Sequence, residues 1–348
     1  MKPGELRKIE SEQVFPGGRA TGRAIVESLM YKLEERAATQ TRKRQDASII
    51  HTAMTEAQTS RYMQAILHNM SSAELKVVTP DLLFDAADKA IANEVSIIEA
   101  HVGLQPGTMN PVHNGHISVA LAGILVNELD TVLLATGATV PDKPKSVDPT
   151  IRNEMLRIAT RGNALSEWLH VTPVRQQVAE MFSVNSQLLL LAGDTETVRR
   201  SNMDIAAFIW LFSANPKVRW TYLVGSDKVA RYGRLEEYDL IVRTLADRRV
   251  NARVLYSVRD GEDVDVTNHI APYDWMFEKW QSGFFKRSPL LTCPVSARKI
   301  KTALVKGRDH VDGLPLNECL PEEVLTYIRT HKTLLASYAR EVQELDSA

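Results

Sequence analysis

Apolar positions change their spacing once along this chain, near residue 95. Between residues 24 and 36, Ile25, Val26, Leu29, Met30 and Leu33 recur at intervals of three and four, the stripe of an amphipathic helix. A second stripe runs through Ile49, Ile50, Ala53 and Met54, then Tyr62, Met63, Ile66 and Leu67. A third helix is expected to open at Thr79-Pro80-Asp81, with Thr79 as N-cap, Pro80 in the first helical position and Asp81 at the positive end of the dipole. Beyond residue 95, short apolar runs of strand length alternate with helical stretches, the grammar of parallel βαβ units. Strands are expected over residues 101–104, 131–135, 169–174, 188–192, 219–224, 253–257 and 290–293, and helices over 117–128, 149–161, 202–212, 298–305 and 321–330. The pattern predicts a doubly wound α/β sheet, which takes its ligands beyond the carboxyl ends of the strands where strand order reverses. It follows an α-helical extension over residues 1–95 and precedes a C-terminal tail over 336–348.

Composition narrows the class of function. With 44% hydrophobic and 24% charged residues over 348 positions, the chain has an ordinary globular make-up. A net charge of −1 offers no surplus of cations for coating nucleic acid or an anionic membrane, so neither is expected as a partner. The longest apolar runs, 119–126 and 205–212, fall well short of the ~20 residues that span a bilayer. Two cysteines, Cys293 and Cys319, build no disulfide framework, and the residues after Met1 are polar. The expected compartment is the cytoplasm. The basic run Arg42-Lys43-Arg44 reads as a solvated surface.

Chemistry concentrates in Pro106-Gly107-Thr108-Met109-Asn110-Pro111-Val112-His113-Asn114-Gly115-His116, which follows the first expected strand and opens a helix. A helix N-terminus presents unpaired N–H groups and positive dipole charge to an anion. Gly107 and Gly115 permit close approach of a ligand, Thr108 offers a hydroxyl, and His113 and His116 share one side of the first turn. Two imidazoles there suit phosphate oxygens. Purely structural histidines and a zinc site are the alternatives, the latter lacking a third nearby ligand.

This stretch resembles the G-x-F-x-P-x-H-x-G-H signature of the nucleotidylyltransferase superfamily, and specifically of nicotinamide or nicotinate mononucleotide adenylyltransferases, with Met109 in place of the usual aromatic. Further segments follow in that family's order over residues 96–335. Val140-Pro141-Asp142-Lys143 and Arg152-Asn153-Glu154-Met155-Leu156 resemble the basic loop and R-x-x-M-L helix flanking the mononucleotide pocket. Tyr222-Leu223-Val224-Gly225-Ser226-Asp227 resembles the strand ending in G-x-D. Residues 295–301, from Val295 to Lys301, resemble the I-S-S-T-x-I-R motif, and residues 321–328 the closing P-x-x-V-x-x-Y-I helix.

The resemblance implies a Rossmann-like nucleotidylyltransferase fold and transfer of AMP from ATP to a pyridine mononucleotide, giving the dinucleotide and pyrophosphate. It implies that His113, His116 and Lys301 are catalytic, and that Gly107, Thr108, Gly115, Gly225, Asp227, Ser296 and Arg298 bind ATP. Lys143 and Arg152 would bind the mononucleotide, and Mg²⁺ would arrive on the ATP phosphates. Arg298 stands where the family has Thr, and Lys301 where it has Arg, which keeps the charge and loses the bidentate fork. Nicotinamide and nicotinate stay open as acceptors, and a homo-oligomer stays open as the assembly. The rivals are a phosphopantetheine adenylyltransferase or cytidylyltransferase activity, and a nucleotide-binding regulator that has lost turnover.

Overall fold

The computed structural model describes residues 22–37, 50–73, 78–137, 147–161, 164–193, 196–226, 229, 236–258, 278–279, 281–290, 292–293 and 295–347. Three helices come first: α1 (Gly22–Ala37), α2 (Glu56–Ala73) and α3 (Pro80–Ile91). Then follow β1 (His101–Gly107), α4 (Asn114–Asn127), β2 (Thr131–Thr136), α5 (Pro149–Thr160), β3 (Leu169–Thr172), α6 (Val174–Ser183), α7 (Ser186–Leu191) and α8 (Glu196–Ala214). The chain continues through β4 (Arg219–Gly225), α9 (Glu236–Leu245), β5 (Ala252–Ser257), β6 (Phe285–Arg287), α10 (Ala297–Val305), α11 (Glu322–Thr330) and α12 (Lys332–Ser347). Strands β1–β6 form one parallel sheet in the order β3-β2-β1-β4-β5-β6, so strand order reverses between β1 and β4. This is the Rossmann-like doubly wound arrangement expected from the sequence.

Alternation within the strands sorts their side chains into two cores. Val102, Leu104, Leu133, Ala135, Trp220, Tyr222, Val224, Val254 and Tyr256 face one side, while Val132, Leu134, Leu223 and Leu255 face the other. Gly103 faces the second side, where a Cβ would lie 2.8 Å from side-chain atoms of Leu129 and Val132. Glycine there lets Leu129, from the loop after α4, press against the sheet.

The helices before residue 95 supply both cores. Tyr62, Ile66 and Met70 of α2 and Leu82, Leu83, Phe84 and Ile91 of α3 join the first, beside α6 and α8. Ile25, Leu29 and Leu33 of α1 join the second, beside α4. Polar ties reinforce this packing. The Tyr62 hydroxyl donates to the Ala206 carbonyl at 3.0 Å, and the Gln177 and Asn215 side chains each bond both the N–H and the C=O of a residue in 51–54. The expected opening of the third helix is observed, with Thr79 capping Leu82 N–H and Pro80 in the first turn.

Two expected strands are otherwise. Residues 188–192 lie mainly in helix α7, because Asn185 accepts from the N–H groups of Gln187 and Leu188 and so starts a helix that a leucine run alone does not reveal. Phe285–Arg287, not the expected segment near residue 290, takes the register beside β5; Thr292 makes only an isolated bridge, its N–H donating to the Val258 carbonyl at 3.2 Å, and Leu290 and Cys293 fill the second core. Residues 336–347, expected as a tail, belong to α12, whose Leu334, Tyr338 and Val342 are buried. No described helix is long and apolar enough to cross a membrane.

Candidate active site

The signature turn lies at the carboxyl end of β1, beside the point where strand order reverses, and leads into α4. Its histidines are fixed by the helix they open. His113 is the N-cap of α4, and its Nδ1 accepts the Gly115 N–H at 3.1 Å. Nδ1 of His116 accepts the His113 N–H at 3.3 Å, which closes a reciprocal capping box. Because backbone N–H groups only donate, both Nδ1 atoms act as acceptors, and each neutral ring carries its proton on Nε2. The rings lie 3.8 Å apart between centroids, tilted by 34°. The pair therefore places two protonated Nε2 atoms at one helix start.

Buried arginines hold the turn from beneath. Arg152, fully buried on α5, donates from Nη1 to the Thr108 carbonyl and from Nε to the Val147 carbonyl, both at 2.9 Å. Burial, then the positive Arg175 nearby, lowers its pKa to about 10, so it stays charged at neutral pH. Arg175 donates to the Ala135 carbonyl at 2.9 Å and grips Asp204 through Nε and Nη2 at 2.8 and 2.5 Å. Arg152→Lys is expected to destabilise the chain by roughly 1–3 kcal/mol, since an ammonium cannot span both carbonyls in the guanidinium's geometry. Urea unfolding measures it, and an unchanged midpoint would show that the two bonds carry no weight.

The glycines serve the protein's own packing. A Cβ at Gly115 would sit 2.9 Å from the His113 ring and 3.2 Å from the Cys293 carbonyl oxygen, so only glycine lets the capping ring lie down on α4. At Gly107 a Cβ would meet Met109 Cγ at 3.1 Å. Met109 itself is buried with φ at +48°, a left-handed residue inside the turn.

The second expected anion site is the start of α10. Ser296 is its N-cap, but its hydroxyl makes no cap bond to the helix. Arg298 is exposed in the first turn, and Lys299 pairs with Asp312 at 2.7 Å. Lys301 lies buried one turn further and forms an ion pair with Glu341 of α12. Gly225 ends β4, whereas Asp227 and the loop holding Lys143 lie outside the described residues.

Several polar groups at this edge of the sheet were not singled out as site residues from the sequence. The Ser226 and Ser257 hydroxyls, next to and at the ends of β4 and β5, are buried with no hydrogen-bond partner among the described residues, as are Gln105 Oε1 and Asn110 Oδ1. Ser226 sits inside the recognised G-x-D segment; Ser257, Arg175, Asp204 and Glu341 carry no local signal. Among the described residues, no three His, Cys, Asp or Glu side chains group as a metal cage.

No family model matches the chain. A probable nicotinate-nucleotide adenylyltransferase of Gloeobacter violaceus is 26% identical over 230 residues, spanning 65% of this chain and 92% of that protein. One from Neisseria meningitidis serogroup B is 24% identical over 231 residues, or 66% of this chain and 96% of its own length. The solved structure of Plasmodium falciparum nicotinic acid mononucleotide adenylyltransferase complexed with NaAD superposes with a TM-score of 0.42 at 13% identity, over 68% of this chain and 97% of the other. In its ordered motifs, its Rossmann-like sheet and its curated relatives, this chain resembles the nicotinate-nucleotide adenylyltransferases of the nucleotidylyltransferase superfamily.

Proposed function

We propose that the chain transfers AMP from ATP to a pyridine mononucleotide, nicotinate mononucleotide before its nicotinamide counterpart, releasing pyrophosphate. The observation that carries this reading is the histidine capping box, which sets two neutral imidazoles on a helix N-terminus beside the strand-order reversal. Preference for nicotinate follows the names of the relatives. The buried hydroxyls of Ser226 and Ser257 at the same edge, without a partner among the described residues, are polar groups that a bound nucleotide would satisfy.

In the proposed reaction, an oxygen of the mononucleotide phosphate attacks the α-phosphorus of ATP. A new P–O bond forms, the bond from the α-phosphorus to the bridging oxygen breaks, and its electron pair leaves on pyrophosphate. The attacking phosphate is already ionised, so no side chain has to remove a proton. Catalysis then rests on alignment and on donors aimed at growing negative charge. His113 and His116 donate to oxygens around the reacting phosphorus, and Thr108 and Gly107 shape the turn beside them. By the resemblance, Ser296 and Arg298 at the start of α10 are assigned to the pyrophosphate end, Gly225 and Asp227 to the ribose, and Lys143 to the mononucleotide. Arg152 supports the mononucleotide side through the turn it braces. Mg²⁺ enters with ATP as part of the substrate.

The direct test measures pyrophosphate release with Mg²⁺, ATP and each of nicotinate mononucleotide, nicotinamide mononucleotide and phosphopantetheine. Release with a pyridine acceptor supports the reading; release with phosphopantetheine alone reassigns the acceptor; ATP binding without release from any of them points to a regulator. Arg298→Ala is expected to weaken ATP binding by about 1–3 kcal/mol, roughly five- to 150-fold in Kd, as a lost hydrogen bond to a charged group. Calorimetry reads this, and unchanged affinity would remove Arg298 from the site.

A further inference from the structure

The last helix carries a carboxylate into the heart of the candidate site. Glu341 of α12 is 7% exposed. Its Oε1 accepts the Asn110 Nδ2 donor at 2.9 Å, across 231 residues of sequence, and its Oε2 is ion-paired with Lys301 Nζ. Tyr338, one turn earlier on α12, sets its ring 5.9 Å from the same ammonium. Glu341 also favours the charged form of Arg152 on α5. The carboxylate is thus faced by Lys301 from α10, Arg152 from α5, Asn110 from the signature turn and Tyr338 from its own helix.

Two observations separate the roles of these groups. A cation that grips a triphosphate must present its charge to the incoming ligand, yet Lys301 is buried and spends its ammonium on Glu341. Arg298, three residues earlier, is an exposed cation on the first turn of α10, beside Lys299, which pairs with Asp312. Meanwhile Asn110, three residues before the capping histidine, is held by its amide donor, since its Oδ1 is buried with no partner among the described residues.

We infer that Glu341 is a positioning residue that ties the signature turn through Asn110, and that Lys301 serves as its counter-ion and not as a ligand of the triphosphate. The inference rests on the adenylyltransferase reading above. Its electrostatic logic is simple. A buried carboxylate beside a triphosphate site would repel the substrate, and Lys301 cancels that charge while leaving the acceptor for Asn110 in place. The tie complements Arg152 at Thr108, so the turn is braced on both sides of Met109.

Four variants of the full-length chain test this: Lys301→Met, Glu341→Gln, the Lys301→Met/Glu341→Gln double, and a Lys301→Met/Glu341→Ala double. Lys301→Met alone strips the buried carboxylate of its ion-pair partner, and is expected to weaken ATP binding tenfold or more. The Met/Gln double removes both charges and keeps a carbonyl acceptor for Asn110, so ATP affinity should return to within threefold of the parent. If the double stays as weak as Lys301→Met, Lys301 touches the triphosphate and the inference is overturned. The Met/Ala double lacks the acceptor; kcat should fall at least tenfold below that of Met/Gln, with the KM for ATP the same. Equal kcat in the two doubles overturns the positioning role. A parent that binds ATP but releases no pyrophosphate would refute the reaction while leaving the affinity comparison intact. Should the parent bind no ATP, the thermal midpoints still decide the counter-ion claim. Both single variants should melt lower than the Met/Gln double, and simple additivity of the two losses would overturn the pairing.

Discussion

His116→Ala is expected to lower the turnover number by about 10²–10³, with a much smaller change in the KM for the mononucleotide. The reason is the developing charge: a donor aimed at the α-phosphate bonds most strongly in the transition state, so its loss appears in kcat. The same side chain caps His113 N–H, and its removal should also cost ~0.5–2 kcal/mol of stability. These effects are separable. A capping residue without an outward donor should restore the melting temperature and not the rate, so His116→Asp is the companion variant. Steady-state pyrophosphate release on folded protein measures the first effect and thermal unfolding the second. An undiminished turnover number in His116→Ala would take this residue out of the mechanism.

The second large effect concerns the helices that precede the sheet. Deleting residues 1–95 is expected to abolish cooperative folding, although the change in hydrophobic spacing near residue 95 suggests a core able to stand without them. Tyr62 and Ile66 are wholly buried, Leu83 nearly so, and all three belong to the core that covers one face of the sheet. Each large apolar side chain contributes ~1.5–3 kcal/mol on burial. Several such losses, together with those of Ile25, Leu29 and Leu33 on the other face, exceed a net stability of ~5–15 kcal/mol. Calorimetric melting reads the outcome. A truncated chain that melts cooperatively and binds ATP would show that the helices only decorate the sheet.

Much of the candidate site was legible because its signals are short-range. The turn after β1, the capping geometry of α4 and the start of α10 each depend on residues within a few positions of one another. The pairing of His113 and His116 on the first turn of a helix was therefore readable from the stretch 106–116. What escaped was the set of groups whose meaning comes from a distant partner. Arg152 matches a mononucleotide-pocket motif by sequence, yet two of its donors are spent on the Thr108 and Val147 carbonyls. The asparagine cap at residue 185 turned a leucine run into helix where the run itself is equally suited to a strand.

The sequence by itself determined the alternation of strands and helices beyond residue 95, the helical stripes before it, and the ordered motifs that place this chain beside the nucleotidylyltransferases. These follow from local propensity, capping and side-chain periodicity, all written within windows of a few residues. Only the tertiary structure decided that the first three helices divide between the two faces of the sheet, and that Lys301 turns inward to Glu341 while Arg298 stays exposed. The physical reason is that an amphipathic stripe states that a face must be buried and a charge states that it needs a partner. Which surface covers that face, and which residue answers that charge, is settled by packing between segments far apart in the chain.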